Sequence, residues 1–153
     1  MMMIEIAATA LLMLQPATAQ KAPPPKPAPA AKSAATDLAV TVTYKGKGTV
    51  DAAHKVIVWL FAESDLTSAS RPLATQFVTK NGETIVFKNA PATPVYVFAV
   101  YDDKGGYDGV SGPPPHGLPA ALYRKGPKTP PLAVKAGGPA IKFTFDDSER
   151  WNK

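Results

Sequence analysis

The chain has 153 residues, with 17 Lys and Arg against 12 Asp and Glu, 17 prolines and no cysteine. That length suits one domain with an additional segment, and the absent cysteines exclude a disulfide scaffold, a thiol nucleophile, a Cys-ligated zinc site and a blue-copper site. Six of the prolines, three of the lysines and one acid lie in residues 1–36, so residues 37–153 carry 14 basic and 11 acidic side chains. No stripe of Lys and Arg with interleaved aromatics runs through that nearly balanced part, and no nucleic-acid surface is expected.

Residues 6–14 (IAATALLML) form a nine-residue, mostly apolar run, followed by Ala17-Thr18-Ala19-Gln20. An apolar stretch of that length before a small-x-small site reads as a signal peptide over 1–19, cleaved near Ala19 and Gln20. It falls short of the roughly 20 apolar residues that span a bilayer, so no integral membrane segment is expected in the mature chain. The five residues ahead of it carry no Lys or Arg, where such leaders are usually positive. The other reading of the run is a short helix of a cytoplasmic protein. Residues 20–36 (QKAPPPKPAPAAKSAAT) are Pro- and Ala-rich, and their prolines fix φ and remove backbone donors. A disordered linker that samples extended polyproline II is expected there, either as an inert spacer or as an arm whose lysines meet anionic polymer.

From residue 37 onward the hydrophobic period is two. Leu38, Val40, Val42 and Tyr44 alternate with Ala39, Thr41 and Thr43, as in a strand with one buried face. Residues 56–61 (VIVWLF) and 95–101 (VYVFAVY) are apolar on both faces, the pattern of central strands covered on both sides. Residues 76–80 and 83–87 flank Asn81-Gly82, a strong hairpin signal because both turn residues tolerate positive φ. Residues 132–134 and 141–145 supply two further strands. Seven short strands with Gly and Pro between them predict a single all-β domain over 37–153, a seven-stranded antiparallel β-sandwich. Residues 63–71 are the one place where a helical turn is expected to interrupt. Residues 102–131 hold about 30 positions poor in strand formers, and loops that long are usually functional or disordered.

Phe87 and Pro91, then Tyr96, Val100 and Asp103, then the Asp- and Gly-rich run from Asp102 to Gly109 resemble the F-x-x-x-P and Y-x-x-x-V-x-x-D signature of transthyretin-like and carboxypeptidase-regulatory-like β-sandwiches. The chain more closely resembles the exported bacterial family called domain of unknown function 2141, over about residues 38–145. The resemblance implies a secreted or periplasmic seven-stranded sandwich and no established reaction. Lys104, Gly105 and Gly106 depart from the family's Asn- and Asp-rich loop. The hydroxyisourate hydrolase branch of the transthyretin-like proteins ends in Tyr-Arg-Gly-Ser, which the run from Glu149 to Lys153 does not match.

Chemistry-bearing residues concentrate in the long loop. Asp102, Asp103 and Asp108 supply oxygens of the kind that hold Ca²⁺, but counting from Asp102 puts Lys104 and Gly106 at ligand positions and no Glu closes the loop. The competing reading is a solvated turn whose aspartates bond their own backbone. His54 and His116, the two histidines, can be read as a metal-binding pair or as the base of a small hydrolase with Ser111 or Ser64, although no nucleophile-elbow pattern is present. Tyr107, His116, Tyr123 and Arg124 are the candidate recognition surface for a glycan, a peptide or an envelope protein. Trp59, Phe61, Phe77, Phe87, Phe98 and Phe143 are expected in the core, and Trp151 is expected to plug one end of the sandwich or to stand exposed as an anchor. The leading expectation is an exported, non-catalytic binding or structural module without a cofactor. Its rivals are a secreted hydrolase or metal-dependent enzyme built on His116 and the loop aspartates, and a calcium-stabilised module.

Overall fold

The structure, a computed structural model, describes residues 36–153; the expected leader and the linker up to residue 35 lie outside the described residues. Seven strands occur among them: β1 (Thr36–Tyr44), β2 (Val56–Phe61), β3 (Ala74–Val78), β4 (Thr84–Ala90), β5 (Tyr96–Tyr101), β6 (Ala120–Leu122) and β7 (Ile141–Phe145). The described residues contain no helix, and hence none long and apolar enough to cross a membrane. Residues 63–71 form bends and a turn closed by the Ser70 N–H on the Thr67 carbonyl, without the expected helical turn.

The strands form a three-stranded sheet, β4-β1-β7, and a four-stranded sheet, β3-β2-β5-β6. The two sheets share one core. Leu38, Val40 and Val42 of β1 meet Val58 and Leu60 of β2 and Val97 of β5 in a single buried cluster. Alternation along β2 and β5 places Ile57, Trp59, Phe61 and Phe98 on the opposite face, in a second buried cluster with Leu118 and Trp151. This is why both strands read as apolar on both sides.

The arrangement corrects three expectations. β1 and β7 pair in parallel, Val40 beside Ile141 and Tyr44 beside Phe145, so the sandwich is not purely antiparallel. These strands are nearly a hundred residues apart, and no hairpin dictates their relative direction. Asn81-Gly82 does not close a hairpin, because β3 pairs with β2 in one sheet and β4 pairs with β1 in the other. Gly82 does adopt the positive φ that the dipeptide suggested, at 79°. The Asn81 side chain instead bonds the backbone of Tyr44 from both ends, donating to its carbonyl and accepting from its N–H at 2.8 Å each, which extends the β1 ladder. Residues 132–134 form no strand of their own. Val134 makes a two-bond bridge with Val95 and the Leu132 N–H donates to the Tyr123 carbonyl, while the edge of β5 is taken by Ala120–Leu122 from within the expected loop.

Of the six aromatics expected in the core, Phe77 is 39% exposed, on the outward face of β3, with the Lys55 ammonium 4.9 Å from its ring centre. The other five are buried.

Candidate functional site

The second cluster needs a cover, and the long loop supplies it. The residue 107 ring packs against this cluster, with Trp59 and Tyr107 centroids 6.2 Å apart. The Trp59 indole N–H donates to the Gly109 carbonyl at 2.9 Å, tying the loop to the centre of the sheet. Gly109 has φ of 74°, and a Cβ there would sit 2.7 Å from Ile57 Cγ2, so glycine is what lets the loop lie this close. Residues 117–120 run beside the C-terminal segment. Gly117 N–H donates to the Trp151 carbonyl, and Trp151 N–H to the Leu118 carbonyl. This pairing lays Trp151 on Phe98, with ring centroids 5.5 Å apart. Trp151 is therefore buried, on the outer face of the four-stranded sheet.

Two of the three loop aspartates act on the loop itself. Asp102 is 2% exposed, and its carboxylate accepts the Tyr107 N–H at 2.9 Å. The Tyr107 hydroxyl donates to the Gly112 carbonyl at 2.7 Å, and burial pushes its pKa up to about 12. Asp108 accepts the Ser111 hydroxyl and the N–H groups of Ser111 and Val110. Those bonds, the Ser111 hydroxyl first, hold its carboxyl down at about 2. Asp103 lies 3.9 Å from the Arg150 guanidinium. Each carboxylate thus has a different partner, and among the described residues no group of three or more His, Asp and Glu converges as a metal site.

Between the loop and the sheet lies an open cleft of about 330 Å³. Trp59, Phe61, Phe98, Tyr107 and Trp151 form its aromatic walls, Leu66 adds an aliphatic contact, and the 109–114 backbone forms one rim. Arg71, exposed just after the turn at 67–70, also lines it. It is the one charged side chain of the lining. The Trp151 indole N–H is buried without a hydrogen-bond partner among the described residues.

The four candidate recognition residues do not share one surface. Tyr107 belongs to this cleft. Tyr123 and Arg124 line a separate groove beside β7, where Tyr123 packs edge-on to Phe143 and Arg124 reaches Glu149 at 3.3 Å. His116 lines neither, is exposed, and its ring has no hydrogen-bond partner among the described residues. The His54 ring sits 3.3 Å from Asp51 in the turn before β2. Trp59, Phe61 and Phe98 are the cleft residues that sequence reasoning assigned only to the core. Their signal was present in the doubly apolar strands, since a face pointing away from the sandwich must be covered by something.

The fold and site define an all-β protein of two sheets, sandwich-like, whose outer face is covered by a long loop with an aromatic cleft beneath it. No protein-family model, curated protein or solved structure matches the chain.

Proposed function

We propose that this chain is an exported, non-catalytic β-sandwich of the transthyretin-like type, serving the cell envelope as a binding module through the cleft under its long loop. The observation that carries this reading is the cleft: buried aromatic walls from β2 and β5, a self-braced loop for a roof, and a volume at the small end of the roughly 300–1,000 Å³ typical of ligand pockets. The apolar run before Ala19, the proline-rich linker and the Phe87 to Gly109 signature support the exported, transthyretin-like part.

Two measurements test it. N-terminal sequencing of the protein recovered from cells is expected to begin at Gln20; an intact Met1 in the mature protein rules out the export step. Titration with the neutral fluorophore phenylnaphthylamine is expected to show saturable binding, one molecule per chain, with quenching of tryptophan emission. Both tryptophans of the chain line the cleft, so its occupancy is read directly.

A further inference from the structure

We infer that the cleft is selective for aromatic anions, a flat apolar ring system held against Trp59, Phe98 and Trp151 with its carboxylate or sulfonate turned to Arg71. This rests on the binding-module reading above and names the ligand class for the same site.

Two observations carry it. The walls are rings rather than alkyl chains: Trp59 and Phe98 are stacked with centroids 5.7 Å apart and 22° between their planes, and Trp151 tilts against Phe98. Aromatic pairs of this kind favour a planar guest with which they form further offset or edge contacts. The lining also has a single sign of charge. Arg71 is its one ionised group, and Arg71 forms no ion pair among the described residues. Glu63 and Asp108 lie outside the lining, each held by one of its serines: Glu63 accepts the Ser70 hydroxyl and Asp108 the Ser111 hydroxyl. A guanidinium at the mouth of an apolar cleft pairs with a planar carboxylate through two parallel N–H bonds.

The test compares the anionic probe anilinonaphthalene sulfonate with neutral phenylnaphthylamine on the folded mature chain, following tryptophan quenching and calorimetric stoichiometry. The sulfonate is expected to bind one per chain and more tightly than the neutral probe. Arg71→Gln should weaken the sulfonate about tenfold or more, the scale of one lost charge-assisted hydrogen bond, while leaving the neutral probe unchanged. Arg71→Lys should keep much of the sulfonate affinity. Lys142→Gln, which removes the same charge from β7 of the other sheet, should leave it intact. Arg71 is exposed outside the strands, so the variant is expected to melt with the parent, which thermal denaturation verifies. Equal binding of the two probes with no effect of Arg71→Gln overturns the anion preference and leaves the binding module standing. Equal weakening by Lys142→Gln overturns it as well, by showing general surface attraction. If neither probe saturates, both readings fall. Naphthoate is expected to displace the bound sulfonate better than octanoate; the reverse order replaces the aromatic body with an alkyl one.

Discussion

The Tyr44 hydroxyl, at the end of β1, donates to the carboxylate of Asp147 in the turn after β7, joining residues 103 positions apart. The same tyrosine ring stacks on Tyr101 of β5, centroids 4.1 Å apart, so one side chain ties the turn after β7 to the opposite sheet. Asp147 also accepts the Lys47 N–H. The Tyr44 hydroxyl bond, followed by that backbone bond, holds the carboxyl below its ordinary 3.8.

Asp147→Asn should therefore destabilise the protein at neutral pH, with a gap from the parent that narrows in acid. A carboxyl whose folded pKa is depressed contributes stability above its unfolded pKa and loses it as pH falls through the folded one. Urea midpoints measured from pH 7 to below pH 3 check this; a gap that stays constant into acid would show that the charge on Asp147 is not what stabilises.

At alkaline pH the sign reverses for the tyrosines. Burial raises the pKa of Tyr44, with the Asp147 bond adding to it, and burial likewise raises Tyr101 and Tyr107. Groups held protonated in the folded state stabilise it below their unfolded pKa near 10 and lose that contribution as pH rises beyond it. Of the five tyrosines, these three should ionise late in a spectrophotometric titration and drop to normal values in denaturant.

Gly48 lies over the ring of Tyr101, and a Cβ there would stand 2.1 Å from the Tyr101 hydroxyl oxygen. Gly48→Ala should cost about 1–3 kcal/mol by overpacking. Tyr101→Leu removes the whole obstructing ring, whose Cε1 and Cζ the same Cβ would also meet, along with the hydroxyl bond to the Thr49 carbonyl. A double-mutant cycle in urea should show the pair less destabilised than the sum of the singles.

Asn81→Ala should cost about 1–2 kcal/mol, the scale of two lost hydrogen bonds to the Tyr44 backbone, measured by equilibrium unfolding. Were Asn81-Gly82 acting as a simple hairpin turn, Asn81→Asp would be nearly neutral. Here the Asp has no N–H to give the Tyr44 carbonyl and should be destabilising too.

Trp151→Ala should cost about 3–5 kcal/mol and expose the Phe98 face, because Trp151 closes the second core. Trp151→Phe should cost much less, since it keeps a ring on Phe98 and removes a buried donor that has no partner. Thermal melts of the two variants separate packing from the unpaired indole.

How far the sequence carried the reading varies from element to element. The strands β1, β2, β5 and β7 lie within a residue or two of where alternation or doubly apolar runs put them. Gly82 was recognisable as a turn glycine, yet the partner of each flanking strand was not, because a turn signal describes four residues and says nothing of the sheet beyond them. Ala120–Leu122 was invisible as a strand. Alanines carry little β preference, and these residues are strand because the β5 edge beside them offers free N–H and C=O groups. The cleft was half legible: its walls stood out as apolar, but its roof, from Tyr107 to Pro114, carries the Gly, Pro and Asp composition of any exposed loop.

Local patterning by itself determined the all-β class, the two-faced burial of β2 and β5, and the concentration of Gly and Pro between 102 and 131. Those properties depend on neighbours one, two or three positions away, which the chain order displays. Tertiary structure alone decided that β1 and β7 run parallel, that β3 and β4 part into different sheets, and that a loop with the composition of a solvent-exposed tip became the cover of a second core. Each of those outcomes is set by contacts between residues dozens of positions apart, such as Trp59 with Gly109 and Phe98 with Trp151. Their partners are chosen by which apolar face remains unburied once the sheets have formed.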